Sequence, residues 1–270
     1  MNAPTAIYEI QLAAAEKKAA LPFGRMVALG AIAGACIALG ACTSSMAAHG
    51  VANYGLARLV AGAVFPVGLI LIVLAGAELF TGNCLMEMAW SARRIGTSGL
   101  LRNLACVWCA NFVGAAAVAA LAWASGQWSA GGGALGAYTI KVAAGKAGMA
   151  PAAAFASGVL CNVLVCLSLL AAGAAKEAVG KTLAIWFPIM AFVVGGFEHS
   201  VANMYYLPAG LFALADSAFA EKAAALGVDA SALTVAHAAR NLLFVTLGNV
   251  AGGMLCVAAL WSAAHRPAKA

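Results

Sequence analysis

The chain has 270 residues, of which 64% are hydrophobic and 9% are charged. Because soluble domains carry about 25% charged residues, this composition excludes an ordinary soluble protein and indicates that lipid is the solvent. The formal net charge of +6 does not indicate a nucleic-acid partner, since the basic residues are scattered between apolar stretches.

The N-terminal segment is amphipathic rather than apolar. The first twenty residues contain several charged side chains and no long apolar run, so no cleavable signal peptide is predicted. Residues 7–21 have the pattern of a helix that lies on a membrane surface. We therefore expect a cytoplasmic N-terminal helix within residues 1–22, acting either as a gate or as a passive anchor.

Six segments are long and apolar enough to span a membrane, which takes about 20 residues. Their continuous apolar runs favour helices over an outer-membrane barrel of alternating strands. They predict an all-α membrane protein with a transmembrane domain at 23–264 and a cytoplasmic tail at 265–270. The predicted spans are residues 24–48, 57–93, 99–125, 150–174, 180–209 and 234–264.

The second and fifth spans are interrupted in mid-span. Glycine and polar or charged residues occur together at residues 76–83 and again at 195–200. Irregular backbone is tolerated in a membrane only where it is buried in protein or lines a cavity. We therefore predict broken helices at both positions, and such breaks are the best sequence indication of a transport site.

Basic residues in short loops predict the orientation of the spans. Ten of them fall on the side of the N-terminus and four on the other side, so both termini are predicted to be cytoplasmic in a bacterial-type inner membrane. The outer loop at 210–232 is long enough for a short helix. The cytoplasmic set is Lys17, Lys18, Arg25, Arg93, Arg94, Arg102, Lys176, Lys181, Arg266 and Lys269, and the outer set is Arg58, Lys141, Lys146 and Lys222.

The two halves of the chain share spaced residues. The pattern G-x-E-x-x-x-x-N occurs at 76–83 and at 196–203, and asparagine, glycine and tryptophan recur with equal spacing in the third and sixth spans. Since each half has three spans, an odd number, the second half must insert upside down. We predict an aquaporin-like inverted repeat of residues 23–125 and 150–264.

Several motifs in these spans resemble the formate/nitrite transporter family over nearly the whole chain. They are ELFTGN at 78–83, CNVLVCL at 161–167, GFEHSVANM at 196–204 and VTLGN at 245–249. The resemblance implies an aquaporin-like fold of six helices, assembled as a homopentamer with one pore per protomer. It implies small-anion substrates, namely formate, nitrite or hydrosulfide, and in some members acetate or lactate.

The resemblance also assigns roles to single residues. It implies that His199 is a central histidine, that Thr81 is a loop threonine, and that Asn162 faces the histidine. Lys146 matches a lysine that attracts anions near the vestibule. The expected apolar constriction consists of Phe65, Leu69, Leu79 and Phe192.

The residues after Thr81 leave the substrate open. They are Gly82 and Asn83, whereas some formate channels have serine and threonine there and nitrite channels often have glycine and histidine. We expect formate first, with hydrosulfide or nitrite as alternatives.

His199 is the most informative polar residue, because an ionisable group in mid-span is rare and usually functional. An unperturbed imidazole pKa of about 6.5 allows proton exchange near neutral pH. A proton donated by His199 would convert formate into formic acid, which crosses an apolar ring more cheaply than an anion does. Alternatively, a cationic His199 could stabilise the bare anion, and the sequence does not separate these two mechanisms.

The other polar residues near the breaks are expected to have structural roles. Glu78 and Glu198 are predicted to accept hydrogen bonds from backbone amides that the breaks expose, with Asn83 and Asn203 beside them. Thr81 could orient the histidine or the substrate, or cap a helix. The sequence gives no firm account of Arg240, which we expect either to extend to the outer surface or to pair with an acidic residue of the outer loop.

Two other classes of function fit the sequence less well. Channels for neutral solutes of the aquaporin type carry paired Asn-Pro-Ala motifs, and none occurs here. A membrane enzyme is disfavoured because no nucleophile and base, and no set of metal ligands, converge in the sequence. We therefore expect no catalytic residue, no metal and no cofactor, and we interpret the Cys106-x-x-Cys109 spacing as small residues on a membrane helix.

Overall fold

The computed structural model describes residues 1–266, which form helices and turns with no β-strand among them. Lys269 and the end of the predicted tail lie outside the described residues. The helices are α1 Pro4–Ala19, α2 Phe23–Ala48, α3 Tyr54–Val64, α4 Val67–Ala75, α5 Phe80–Asn83, α6 Glu87–Ser91, α7 Thr97–Ala124, α8 Ala130–Ala147, α9 Pro151–Ala174, α10 Ala178–Gly195, α11 Ser200–Leu214, α12 Ser217–Ala225, α13 Val235–Val250 and α14 Leu260–His265.

The six predicted spans are confirmed, because six helical segments of the described residues are long and apolar enough to cross a membrane. A π-helical stretch, Ala251–Ala259, joins α13 and α14 into the sixth. The second and fifth are shorter than predicted, since the polypeptide beyond each interruption forms separate helices. The spans are Phe23–Ala48, Tyr54–Ala75, Thr97–Ala124, Pro151–Ala174, Ala178–Gly195 and Val235–His265.

The second and fifth spans end in the same backbone geometry. Gly76 follows α4 with φ 76°, and Gly196 follows α10 with φ 75°. This left-handed conformation is accessible to glycine and strained for residues with a Cβ, so both glycines are required where the helices stop. Helical structure resumes at Phe80 and at Ser200, which leaves a short extended segment in each break.

Close backbone contacts join the helices that flank each break. A Cβ atom on Gly114 of α7 would lie 1.9 Å from the carbonyl oxygen of Ala31 in α2. A Cβ atom on Gly252, which follows α13, would lie 2.3 Å from the carbonyl oxygen of Val159 in α9. Small residues allow membrane helices to approach this closely. The same packing therefore occurs once in each half of the chain.

Helices α1 and α8 are not membrane spans, and each lies beside one broken span. In α1 the buried side chains share one face, and Asn2 ties the start of the helix to α9 through 2.9 Å hydrogen bonds to the carbonyls of Gly173 and Ala174. The sequence analysis did not predict α8. It begins with a left-handed turn at residues 131–133, where Lys222 of α12 donates to the Gly132 carbonyl. Helix α12 is the short helix expected in the outer loop.

Candidate functional site

The backbone exposed by the first break is satisfied by an asparagine of α7. Asn111 Oδ1 accepts a 2.9 Å hydrogen bond from the amide of Phe80. Its Nδ2 donates to the carbonyls of Gly30, at 2.7 Å, and Glu78, at 3.0 Å. One fully buried side chain therefore holds three backbone groups that would otherwise lack partners in an apolar environment.

An asparagine of α13 does the same at the second break. Asn249 Oδ1 accepts from the amide of Ser200 at 2.8 Å, and its Nδ2 donates to the carbonyls of Gly158 and Glu198 at 2.8 and 3.0 Å. The three contacts correspond one by one to those of Asn111. They support the inverted repeat, whose sequence pattern included both asparagines.

The carboxylate of the first break lies in a ring of hydrogen bonds that begins and ends on one lysine. Lys18 Nζ is 2.8 Å from Glu78 Oε1, and Glu78 Oε2 accepts from Asn83 Nδ2 at 2.7 Å. Asn83 Nδ2 also donates to Asn103 Oδ1, and Asn103 Nδ2 donates to the main-chain oxygen of Lys18 at 3.2 Å. The side chain and the backbone of Lys18 are thus fixed by the same network.

The second break contains the equivalent ring around Lys146. Lys146 Nζ is 2.7 Å from Glu198 Oε1, and Asn203 Nδ2 donates to Glu198 Oε2 at 2.6 Å. Asn203 Nδ2 also donates to Asn241 Oδ1, whose Nδ2 donates to the main-chain oxygen of Lys146 at 2.8 Å. We name these two networks the Lys18 ring and the Lys146 ring.

The hydrogen-bond partners predicted for Glu78 and Glu198 were wrong. Neither carboxylate accepts a hydrogen bond from a backbone amide among the described residues; each binds one lysine and one asparagine. The exposed amides bind Asn111 and Asn249 instead. The physical reason is charge, because a buried carboxylate is stabilised better by an ammonium group than by amides alone.

A cavity opens beside each ring. The cavity next to α8 has a volume of about 580 Å³, and its lining includes Lys146, Glu198 and His199. The cavity next to α1 has a volume of about 470 Å³, and its lining includes Lys18 and Glu78. The two cavities have no lining residue in common.

The two cavities carry the same charge. Each is lined by three Lys or Arg side chains and one glutamate, which gives each wall a formal excess of two positive charges. The α8 cavity has Arg58, Lys141 and Lys146, and the α1 cavity has Lys17, Lys18 and Lys181. Such walls raise the local concentration of anions.

Buried apolar side chains form part of the lining of each cavity. Phe65 and Phe192 meet edge to face, with ring centroids 5.4 Å apart, and both line the α8 cavity. Leu69 and Leu79 line the α1 cavity together with Ile72. All five are buried. Ile72 was not predicted, because it lies in a run of apolar residues with no polar residue or glycine next to it to mark it.

Thr81 contacts His199, which is part of the lining of the α8 cavity. Thr81 Oγ1 lies 2.9 Å from His199 Nε2, and both side chains are buried. The other ring nitrogen, Nδ1, accepts a 3.1 Å hydrogen bond from the amide of Ala202, so His199 is the N-cap of α11. Phe192 stacks on the imidazole with centroids 5.8 Å apart. Thr81 itself lies in α5 rather than on an irregular loop.

Asn162 is linked to the histidine through Thr81. Its Nδ2 donates to the carbonyl of Thr81 at 3.2 Å and to that of Asn249 at 2.7 Å, and no hydrogen bond joins it to His199 within residues 1–266. Cys166 Sγ also lies 3.6 Å from the Thr81 carbonyl. Asn162 therefore holds the backbone of Thr81, whose hydroxyl contacts the histidine.

Comparison with known proteins identifies the chain. The sequence model described as "Formate/nitrite transporter" matches residues 5–263. This chain belongs to the formate/nitrite transporter family. The chain is 42% identical to a probable formate transporter of Methanothermobacter thermautotrophicus over 92% of both chains. It is 38% identical to formate channel FocA of Haemophilus influenzae, over 84% of this chain and 82% of that one.

Solved structures of the family have the same fold. An FNT family ion channel superposes with a TM-score of 0.81 at 30% identity, over 96% of this chain and 98% of the other. A pentameric formate channel with formate bound gives a TM-score of 0.79 at 28% identity, over 91% and 98%. The relatives in this family are channels and transporters rather than enzymes, and no group of three His, Cys, Asp or Glu residues within 1–266 could hold a metal ion.

The contacts of two basic residues, Lys18 and Arg240, were not predicted from the sequence. Lys18 was assigned only to the orientation charge, although it precedes Gly30 by the same distance as Lys146 precedes Gly158. Arg240 pairs with no acidic residue among residues 1–266; its guanidinium donates to the carbonyl of Ala147 at 3.1 Å. Both contacts link segments far apart in the chain, which local patterns cannot reveal.

Proposed function

We propose that this protein conducts small monovalent anions of weak acids, with formate as its first substrate. The observation that carries the proposal is the buried 2.9 Å contact between Thr81 and His199, a residue that lines one of the two basic cavities. The relatives named as formate transporter or formate channel, at 42% and 38% identity, support a related substrate.

The charge of the cavities accounts for the first step of conduction. An anion that enters either cavity meets a wall with a formal excess of positive charge, which favours its accumulation there. The apolar residues of the lining then oppose further movement, because a bare charge loses its hydration in an apolar passage. The centre of the pathway must therefore offer either a proton or strong hydrogen bonds.

The hydrogen bonds of His199 define its resting form. Since Nδ1 accepts from the amide of Ala202, this nitrogen carries no proton, and the proton of the neutral ring is on Nε2. Nε2 then donates to Thr81 Oγ1, which leaves the hydroxyl hydrogen of Thr81 free to be donated to an anion. With a neutral ring, His199 therefore orients Thr81 so that the Thr81 hydroxyl can donate a hydrogen bond to an anion.

We propose that proton exchange follows the arrival of the anion. A carboxylate near Thr81 favours a protonated imidazole, since opposite charges within about 4–6 Å stabilise each other. The ring takes up one proton from cavity water and gives up its contact with Ala202. Its Nε2 proton then passes to Thr81 as the hydroxyl gives its own proton to the carboxylate. The products are a neutral acid and a neutral imidazole.

Hydrosulfide and nitrite are alternative substrates of the same kind. Both are small, singly charged conjugate bases of weak acids, and both would use the same proton exchange. A channel for neutral solutes of the aquaporin type is the alternative of another class. The basic cavities and the buried histidine favour the anions, because neither feature helps a neutral solute to pass.

We also propose an arrangement in the membrane. The N-terminal segment 1–22 and the α1 cavity face the cytoplasm, residues 23–264 form the transmembrane domain of an inner-membrane protein, and the tail at 265–270 is cytoplasmic. The protein assembles as a homopentamer with a pore in each protomer, which the match to a solved pentameric formate channel supports. The equivalent lysine rings support repeats that also include α1 and α8.

Uptake into proteoliposomes tests the proposed function. Formate, nitrite, hydrosulfide, acetate, lactate and glycerol would be compared with and without an imposed proton gradient. We expect formate uptake to be fastest and to increase with an inward proton gradient, with little glycerol entry. Glycerol uptake without anion uptake would favour the neutral-solute channel. Faster uptake of hydrosulfide or nitrite than of formate would mean that formate is not the first substrate.

A further inference from the structure

Two arginines make the same contact in the two halves of the molecule. Arg102 of α7 donates through Nη2 to the carbonyls of Ala19 and Leu21, each at 2.9 Å. Arg240 of α13 donates through Nη2 to the carbonyl of Ala147 at 3.1 Å. Ala19 is the last residue of α1, and Ala147 is the last residue of α8.

Each arginine precedes the asparagine that closes a lysine ring. Asn103 binds the carbonyl of Lys18, and Arg102 binds the carbonyl of the next residue. In the other half Asn241 binds the carbonyl of Lys146, and Arg240 again binds the next carbonyl. An Arg-Asn dipeptide therefore holds two successive carbonyls at the end of each lysine-bearing helix.

Helix ends need such partners. The last four carbonyls of an α-helix lack intrahelical donors, and a cation near them is favoured by the helix dipole. A guanidinium group supplies both the donor and the charge. Arg102 is exposed and Arg240 is half-buried, so the contact in α8 should be the stronger of the two.

We propose that Arg102 and Arg240 are positioning residues for anion conduction, which fix the carboxyl ends of α1 and α8 and thereby hold Lys18 and Lys146 on their buried carboxylates. This inference rests on the proposed function. Without the arginine the helix end frays and the lysine spends time away from its ring. The carboxylate left behind is then an unpaired negative charge on the cavity wall, which repels an anion near it.

The inference predicts effects confined to one side of the membrane. Arg102→Met and Arg240→Met keep the apolar stem but remove every donor. In planar bilayers, the anion concentration for half-maximal formate current would be measured from each side. We expect Arg240→Met to raise this concentration about tenfold on the α8 side only, as for loss of one charged hydrogen bond. Arg102→Met should raise it less, and only on the α1 side.

Matched variants control these measurements. Arg102→Lys and Arg240→Lys keep a cationic donor and should recover part of the effect. Arg25→Met removes an arginine that makes no hydrogen bond or ion pair in the part of the chain described, and it should leave both sides unchanged. Equal effects on both sides in either methionine variant would contradict the proposal, since they would indicate a general loss of structure.

A second readout does not depend on which solute is conducted. Brief acylation with a water-soluble amine reagent, followed by peptide mass spectrometry, reports how often each lysine leaves its ring. We expect faster acylation of Lys18 only in Arg102→Met and of Lys146 only in Arg240→Met. If neither rate changes, the positioning role is overturned even if formate is conducted. If the rates change as expected but no anion is conducted, the proposed function fails and the positioning role stands.

The lysine variants also cover the case in which a methionine variant does not assemble. Arg240→Lys and Arg102→Lys should still show smaller, side-specific increases in acylation. Unchanged acylation in these variants, together with collapse of the methionine variants, would mean that the arginines serve stability alone.

Discussion

The two breaks have nearly the same backbone but different chemistry. Leu79 and His199 both precede a helix, with φ −107° and ψ 125° for the first and φ −110° and ψ 118° for the second. Two residues further on, Thr81 stands in one break and Val201 in the other. The asparagine contacts and the lysine rings are shared by both halves. The shared residues hold the backbone of both breaks, and we propose that the residues that differ, Thr81 and His199, carry the chemistry of the centre.

The largest effect is expected for the asparagines that close the breaks. Asn249→Ala would leave three backbone groups without partners, at about 1–3 kcal/mol each, so the protein should fail to assemble. Asn249→Asp keeps one acceptor and should be less damaging. Size-exclusion chromatography and thermal unfolding in detergent would measure both. If Asn111→Ala were tolerated, the two breaks would not be equivalent in stability.

The next effect concerns the Lys146 ring. Lys146→Met leaves Glu198 as an unpaired carboxylate that is only 3% exposed, which should destabilise the fold by about 3–5 kcal/mol. Adding Glu198→Gln should restore most of the stability, because the buried charge is gone. Formate current should nevertheless stay low in the double variant. A double variant with normal current would show that the lysine serves folding only.

Two variants of His199 distinguish its proposed role in proton exchange from its role as the N-cap of α11. Asn is among the best N-cap residues, so His199→Asn should keep α11 capped, whereas His199→Leu loses the cap at a cost of about 1 kcal/mol. We expect His199→Asn to assemble normally and to lose uptake driven by a proton gradient, with only bare-anion current remaining. Flux measurements with a pH-sensitive dye would follow both. Unchanged proton-coupled uptake in the assembled variant defeats the proton-exchange mechanism.

The smallest change in stability is expected at Thr81. Thr81→Val gives the first break the residue type that Val201 has in the second, and it removes one hydrogen bond worth about 1 kcal/mol. Formate uptake should nonetheless fall sharply, since the hydroxyl links the histidine to the anion. Thr139→Val is the matched control, because that buried hydroxyl has the Leu135 carbonyl of its own helix as its one partner among residues 1–266. Equal uptake in both variants would remove Thr81 from the pathway.

Much of the fold could be predicted from the sequence because its signals are local. The lengths of the apolar segments located the six spans, and one glycine in each break, Gly76 and Gly196, marks where the helix stops. Helix α8 was missed because its first turn is a run of glycines and its remainder is too short and mixed to read as a span. Local composition therefore locates membrane helices better than it locates the helices that lie beside them.

The site was predictable in its residue types and less so in its contacts. His199 was conspicuous as an ionisable residue in mid-span, and the structure places it on Thr81. The partners of Glu78 and the orientation of Asn162 depend on helices that are distant in sequence. Spacing indicates which residues share a helix face, but it cannot indicate which neighbouring helix supplies a donor.

The contact between Asn2 and α9 has a consequence for biogenesis. Because the carbonyls that Asn2 binds belong to Gly173 and Ala174, α1 cannot complete these contacts until the fourth span has been made. A slow or paused ribosome would prolong the state in which α1 has been made but is not yet docked on α9.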